Sequence, residues 1–371
     1  MKKILAIIMI IAMAAFAMAG CDAAGSGGSG AAGRGSGGQA VSEIVNVAVL
    51  NGPTGMGAVQ LIDMTDKYNV ESYEAPTDIA PKLISGEVDV AALPSNMAAV
   101  LYNKTGGKVV AVTPVTLGVL YIVENVAGGA KNAAGGGIKD LKALKGKTIV
   151  SSGQGGTPEY ALQKVLESAG FTLYEDVQVQ WLASHADVNQ KLLSEPGTIA
   201  MVPEPFVSAA LMQAGAKAEQ NDAKTRQAGA KAAQGSVKIL FDMNKLWEDA
   251  TGQEFPMGVL VARADFAQKR GADLEVLLTD LKSSVEFVNR GDDEAAQLIV
   301  DKGFLGDATV AKAAIPGCRI VCYGGESGGT EASRIAEGME MLKVFNKTLF
   351  EMNPEALGGK LPGNDLYYKA K

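Results

Sequence analysis

The strongest constraint on the fold of this chain is a unit that occurs four times: a short apolar run, a bend rich in Gly, Pro, Ser or Asn, and an amphipathic helix. A β-branched run followed by apolar residues at helical spacing predicts a strand and then a helix. Strands that alternate with helices predict parallel sheets covered by helices on both faces. The four runs and their bends are VNVAVL–NGPTGMG (45–57), VDVAAL–PSN (88–96), KTIVSS–GQGGTP (147–158) and TIAMV–PEP (198–205).

These bends are predicted to line a ligand site. In open α/β sheets, ligands bind at the carboxyl ends of the strands, beside the helix starts. The first N–H groups of a helix have no partner within it, and they carry the positive end of its dipole. Glycines such as Gly55 and Gly156 let a ligand approach the backbone closely. Capping alone explains Ser, Thr or Asn at a single helix start, but four bends in two pairs favour a cleft between two facing sheets.

A nucleotide or nucleic-acid partner is not supported. The bend GQGGTPE has neither the lysine nor the Gly-Lys-Ser/Thr of a P-loop, and GPTGMG does not follow the dinucleotide-binding order. The formal net charge is −7. It becomes −9, with 32 basic against 41 acidic side chains, if a leader containing Lys2 and Lys3 is removed. An acidic protein repels polyanions, so no nucleic acid is expected as a partner.

The N-terminus predicts export and a lipid anchor. Residues 1–20 have a basic start, an apolar stretch and a small-residue end, which is typical of a secretory signal peptide. The segment Met18-Ala19-Gly20-Cys21 resembles a bacterial lipobox with Met18 in place of the usual leucine, and it implies lipidation at Cys21. Residues 21–41 then form the lipidated cysteine and a Gly/Ser-rich flexible tether. We therefore expect the protein on the extracytoplasmic face of the membrane, periplasmic or at the cell surface.

The length and the order of the elements predict two lobes. A chain of 371 residues suggests about two domains. The predicted boundaries are 42–115 plus 258–371 for lobe 1 and 116–257 for lobe 2, with two crossings that can act as a hinge. Residues 213–236 contain QAGAKA twice and are predicted to be an exposed helical insertion.

From about Val45 to Tyr368 the chain resembles the solute-binding lipoproteins of ABC importers, in the nitrate/sulfonate/taurine-type branch of the type 2 periplasmic-binding-protein fold. The extra Ala143-Leu144 and the Ala/Lys-rich insertion depart from the family pattern. The segments that carry the resemblance are NGPTGMGA (51–58), SGEVDVAALPSNMAAVLYNK (85–104), TLGVLYIVEN (116–125), IKDLKALKGKTIVSSGQGGTPEYAL (138–162), PEPFVSAAL (203–211), IPGC (315–318) and GGKLPGNDLYY (358–368).

The resemblance implies a two-lobed α/β fold, each lobe a mixed, mostly parallel sheet flanked by helices, with two hinge crossings. It also implies a monomer that captures a small-molecule ligand and docks on the transmembrane subunits of an ABC permease, with no cofactor, metal or catalytic residue. The implied ligand contacts lie at the four helix starts and the first crossing. They are Asn51, Gly52, Thr54, Gly55, Met56, Ser95, Asn96, Thr116, Gly118, Gln154, Gly156, Thr157 and Glu204.

Two ligand classes fit these bends. They contain no Arg or Lys, and Glu204 is the one acid directly in a bend, where it either stabilises a helix start or recognises an amine. A small polar, anionic or zwitterionic solute of the sulfonate or taurine type fits. So does a thiamine-precursor aminopyrimidine, whose ring would need stacking. The candidates for that stacking are Tyr160, Phe206, Tyr121 and Met56.

An enzyme is the alternative class, because related type 2 folds include pyrimidine-precursor synthases and menaquinone-pathway lyases. Such chemistry needs acids, bases or metal ligands, whereas the chain has a single histidine, His185, and no zinc-type His/Cys cluster. Cys318 and Cys322 on a strand would lie about 13 Å apart, beyond disulfide reach, and are interpreted as thiols, although an export compartment favours pairing. A structural adhesin would not need four glycine-lined bends.

Overall fold

The computed structural model describes residues 41–126, 138–215, 236–324 and 330–369. The predicted signal peptide, Cys21 and the tether through residue 40 lie outside these residues, as does most of the predicted insertion at 213–236. Within the described part of the chain, no helix has the length and apolarity to cross a bilayer.

Ten strands in the described residues form two five-stranded sheets, in the orders β2-β1-β3-β10-β4 and β7-β6-β8-β5-β9. The two sheets follow the same plan. Three neighbouring strands are parallel, and the fourth strand, β10 or β5, runs antiparallel to both of its neighbours. The strands are β1 Val45–Leu50, β2 Tyr68–Tyr73, β3 Val90–Pro94, β4 Val109–Leu117, β5 Leu120–Val126, β6 Thr148–Ser152, β7 Gln178–Leu182, β8 Ile199–Pro203, β9 Ser236–Asp242 and β10 Pro256–Arg263.

Helices flank both sheets, and local sequence signals mark their ends. Pro76 and Pro158 lie in the first turns of α2 and α4, where a missing N–H costs nothing. The Ser184 side chain caps α5, and Gly106 ends α3 in the left-handed conformation. The helices are α1 Pro53–Met56, α2 Pro76–Ser85, α3 Ser95–Thr105, α4 Thr157–Ser168, α5 His185–Ser194, α6 206–215, α7 Met243–Thr251, α8 Ala264–Lys269, α9 Gly271–Asn289, α10 Asp293–Asp301, α11 Ala308–Ala314 and α12 Thr330–Met352. Short 3-10 turns occur at Leu61–Asp63, Leu141–Leu144, Ile315–Cys318, Pro354–Leu357 and Asn364–Leu366.

This architecture confirms the predicted two-lobed α/β fold with mixed, mostly parallel sheets. The four predicted strands of the repeated unit are β1, β3, β6 and β8, each followed by a helix. The chain leaves the first sheet after Leu117 and returns to it at Pro256, so the predicted boundaries at 115/116 and 257/258 fall inside β4 and β10.

One asparagine ties the two crossings together. The buried Asn244 side chain accepts hydrogen bonds from the Gly118 N–H at 3.2 Å and the Phe255 N–H at 3.3 Å. A Cβ on Gly118 would lie 2.7 Å from Asn244 Oδ1 and 2.8 Å from the Phe255 ring, so only glycine fits at this crossing.

The two cysteines lie outside regular strands. Cys318 is buried at the end of a 3-10 turn, and Arg319 follows it with a φ of 43°, so the continuous strand assumed for this segment is absent there. No disulfide joins Cys318 and Cys322.

Candidate ligand-binding cleft

A cavity of about 600 Å³ lies at the carboxyl ends of the parallel strands, bounded by residues of both sheets. The first six helices all begin at its wall, and both crossings contribute to it through Val119 and Met257. The lining residues include no Lys or Arg, so the N–H groups and dipoles of the helix starts are what the wall offers to an anionic group.

Nine of the thirteen predicted ligand contacts line this cavity, and their role in binding stays a prediction. They come from both lobes, and the first and last of them, Asn51 and Glu204, are 153 positions apart in the sequence. The nine residues are Asn51, Gly52, Thr54, Asn96, Thr116, Gln154, Gly156, Thr157 and Glu204.

The other four predicted contacts lie behind the cavity wall. Met56 and Ser95 have no exposed surface. Gly55 packs against Phe304 and the Leu50 carbonyl, and Gly118 packs beneath Asn244. In a helix, neighbouring positions point about 100° apart, so only part of each helix start can face a ligand.

Sequence reasoning also missed part of the wall. Pro76 and Thr77 begin α2 after β2, in a fifth strand–bend–helix unit whose bend, EAPTD, carries a proline and could have been recognised. Of the four stacking candidates, only Phe206 lines the cavity. The remaining unpredicted lining residues are Leu50, Pro53, Pro94, Met97, Val119, Gly153, Gly155, Pro158, His185, Pro203, Pro205, Met257 and Gly258.

Glu204 is the acidic side chain of the wall and is 6% exposed. Its carboxylate accepts hydrogen bonds from the Ser208 N–H at 3.1 Å and the Ser208 hydroxyl at 3.0 Å. Gly317 lies against the same carboxylate, where a Cβ would come within 2.8 Å of Oε1. Burial raises the pKa of Glu204, and the Ser208 bonds oppose that rise only in part. An acid so placed would gain from a cationic or N–H-donating partner in the cavity.

His185 is the second titratable group of the wall. Its Nδ1 lies 2.5 Å from the hydroxyl of Ser152, and its ring is tilted against Phe206 with 5.6 Å between the centroids. Burial lowers the pKa of His185, so the imidazole is neutral at pH 7. Because Ser152 occupies Nδ1, Nε2 is the ring nitrogen left to meet a ligand.

The pH behaviour of His185 gives a direct test. The unfolded chain protonates this histidine near 6.5, whereas the folded chain binds the proton less tightly. Stability contributed by the neutral ring is therefore complete above pH 6.5 and is lost as the pH falls from there through the lowered pKa. His185 is the one histidine of the sequence, so a single imidazole signal in an NMR titration reports its pKa. We expect a value below that of a peptide ASHADV measured alongside; an equal or higher value would contradict the buried, neutral ring.

Solved structures with this architecture include periplasmic binding proteins and another protein named as an ABC transporter. An ABC transporter from Parabacteroides distasonis matches with a TM-score of 0.65 at 22% identity, over 88% of this chain and 99% of its own. The periplasmic aliphatic sulphonate binding protein of Escherichia coli matches with a TM-score of 0.63 at 17% identity, over 89% and 93%. The periplasmic nitrate-binding protein of Synechocystis PCC 6803 matches with a TM-score of 0.53 at 11% identity, over 86% and 85%. The chain has the type 2 periplasmic-binding-protein fold.

One family model matches part of the sequence. A family described as menaquinone biosynthesis matches residues 227–312, a minor part of the chain. No curated protein matches. Among the described residues, no group of three or more His, Cys, Asp and Glu side chains could hold a metal ion.

The two lobes of this binding-protein fold touch each other beside the cavity. The Thr157 hydroxyl donates to Asn96 Oδ1 at 3.1 Å, which joins the start of α4 to the start of α3. Arg319 pairs with Asp242 near the crossings. These two contacts join the lobes beside the cavity.

Proposed function

We propose that this protein is the extracytoplasmic substrate-binding component of an ABC import system. It captures a small polar organic solute between its two lobes and delivers it, in the closed form, to the transmembrane subunits of a permease. The main support for this proposal is the cavity bounded by helix starts of both lobes. A ligand in that cavity would touch both lobes and so stabilise the closed state over the open one. In this proposal the protein acts as a monomer held at the membrane by lipidated Cys21.

The cavity best fits a zwitterion of the taurine type. A sulfonate would accept hydrogen bonds from backbone N–H groups at the helix starts, each helix dipole adding about 0.3–1 kcal/mol. The ligand's ammonium would pair with Glu204, because the lining residues include no Lys or Arg that could pair with this carboxylate instead. The names of the structural neighbours, which include sulphonate- and nitrate-binding proteins, support the anionic end of this ligand.

An aminopyrimidine is the second candidate, supported by the ring pair Phe206 and His185 in the wall. Aromatic faces at that place would stack on a heterocycle, while its exocyclic amine donated to Glu204. A heterocycle held by stacking against Phe206 and the neutral His185 would need no anionic group for binding.

An enzyme has less support. The menaquinone-biosynthesis match favours it, and Ser152 with His185 is a hydroxyl–imidazole pair. However, Ser152 is buried and does not line the cavity, and the pKa of His185 is lowered by burial. Nucleophilic catalysis requires the hydroxyl to reach the substrate.

Calorimetric titration tests the proposal. The protein is unfolded in denaturant and refolded to remove any bound solute, then titrated with taurine and with 4-amino-2,5-dimethylpyrimidine. We expect one probe to bind with 1:1 stoichiometry and to reduce the radius of gyration measured by X-ray scattering. Ethanesulfonate and ethylamine, the two halves of taurine, serve as controls and should bind far more weakly. If neither probe binds, and native mass spectrometry of freshly purified protein finds no small molecule, the proposed function fails.

A further inference from the structure

A chain of hydrogen bonds outside the cavity holds the bend that precedes α4. Glu159, in the first turn of that helix, accepts the Gly155 N–H at 2.6 Å through Oε2. Its other oxygen, Oε1, accepts from the Tyr174 hydroxyl. The Tyr174 hydroxyl in turn accepts from Trp181 Nε1 at 3.0 Å. One carboxylate thus connects the cavity wall to the edge strand β7.

The backbone of Tyr174 is strained. Its φ is 70°, in the left-handed region that bulky residues rarely adopt. The conformation is held by the Tyr174 N–H bond to the Val177 carbonyl at 2.8 Å and by the Gln178 side chain, which donates to the Tyr174 carbonyl at 2.6 Å. The side chain is 44% exposed, so ring burial does not account for its place. Strained backbone conformations of this kind are found mainly at functional sites, where a side chain must be held in one orientation.

The bend that Tyr174 reaches is rich in glycine, and one backbone hydrogen bond closes it, from the Gly156 N–H to the Gly153 carbonyl at 3.1 Å. Gly153 and Gly155 both have positive φ, at 88° and 75°, and the segment 153–158 lines the cavity throughout. Glycine-rich backbone has many alternative conformations, so a single working geometry needs an external restraint. The bond from Gly155 to Glu159 is that restraint, and Tyr174 fixes the carboxylate that makes it.

Protonation keeps Tyr174 in the donor role. Burial and the bond to Glu159 raise the pKa of its hydroxyl, while Trp181 and Gln154 lower it by smaller amounts. The hydroxyl therefore remains protonated at neutral pH and the carboxylate remains its acceptor.

We propose that Tyr174 is a positioning residue for the cavity bend 153–158, acting through Glu159, and that Trp181 reports the state of that bend by its fluorescence. The effect on ligand affinity rests on the proposed function. The effect on the bend itself does not, and the two are measured separately.

Amide hydrogen exchange tests the bend without any ligand. In Tyr174→Phe we expect exchange at Gly155 and Gly156 to speed up by about tenfold, the scale of one hydrogen bond to a charged group. The matched control is Tyr102→Phe, which also removes a tyrosine–carboxylate bond, from Tyr102 to Asp365 at 2.5 Å, away from the bend. Unchanged exchange in Tyr174→Phe, or the same change in both variants, would overturn the positioning role.

Binding and fluorescence test the consequence, with taurine as the probe. Tyr174→Phe and Glu159→Ala should each raise the taurine Kd about tenfold, and the double variant should raise it no further, because both act through one connection. The sequence has two tryptophans, so Trp181→Phe should abolish the taurine-induced emission change while Trp247 stays visible. Additive effects of the two substitutions would sink the proposal. If taurine does not bind the unmodified protein, the ligand assignment fails and the exchange result alone decides the role of Tyr174.

Discussion

Glu204→Gln is expected to weaken capture of a zwitterionic ligand by about 10- to 150-fold. A hydrogen bond to a charged group contributes about 1.5–3 kcal/mol, and each 1.4 kcal/mol is a factor of ten in affinity. The substitution keeps the shape of the side chain and a hydrogen-bond acceptor but removes the charge that would pair with an ammonium. Calorimetric titration with taurine measures the change.

The control for this experiment is Glu167→Gln, which removes one carboxylate from the exposed far end of α4 and alters the net charge equally. It should leave the Kd unchanged. A ligand that is a simple anion would bind Glu204→Gln as well as or better than the unmodified protein, and that outcome would remove the amine from the proposed ligand.

The raised pKa of Glu204 also sets the sign of the pH effects. Zwitterion binding needs the carboxylate, so affinity should fall as the pH falls through the raised pKa, which lies above the ordinary 4.5. The folding stability of the ligand-free protein changes with pH in the opposite direction to the ligand affinity. The folded state holds this proton more tightly than the unfolded chain, so the stabilising contribution is lost as the pH rises from about 4.5 through the raised pKa.

Trp247→Ala should produce the largest loss of stability, about 3–5 kcal/mol. Trp247 is 1% exposed and stacks on Phe255 with 4.8 Å between the ring centroids. Its ring is also tilted against that of Phe345, with 5.8 Å between the centroids. These rings join α7, the second crossing and α12. Removing the Trp247 ring would therefore leave a cavity between three elements, which the neighbouring side chains cannot fill. Urea denaturation followed by circular dichroism measures the free energy of unfolding.

Trp181→Ala is the matched control, because it removes the same side chain from a half-buried position on the edge strand β7. It should cost clearly less than Trp247→Ala. Equal losses would mean that the packing of Trp247 against Phe255 and Phe345 contributes no more than a half-buried surface ring does.

The repeated strand–bend–helix unit was enough to predict the fold class. Runs such as VNVAVL and TIAMV are apolar on both faces, and such runs are stable only as central strands under helices on both sides. The same logic placed Asn51, Asn96, Gln154 and Glu204 near one cavity, because the strands of each sheet end at a common edge.

Other parts of the site could not be predicted, for identifiable reasons. Met56 and Ser95 sit in the right bends but point into the core, since the rotation of a helix is set by what packs beneath it. His185 and Phe206 come from bends far apart in the sequence, and only α5 and α6 bring their rings within 5.6 Å. No periodicity in the sequence encodes that distance.

The sequence by itself determined the alternation of strands and helices and the glycine-rich bends, because these depend on the period and chemistry of neighbouring residues; the export signal and lipid anchor that it predicts stay predictions. Only the tertiary structure decided which helix starts meet across the cleft, that Asn244 joins both crossings, and that Tyr174 reaches Glu159. Those contacts depend on the relative placement of two sheets, which long-range packing sets and local patterns do not record.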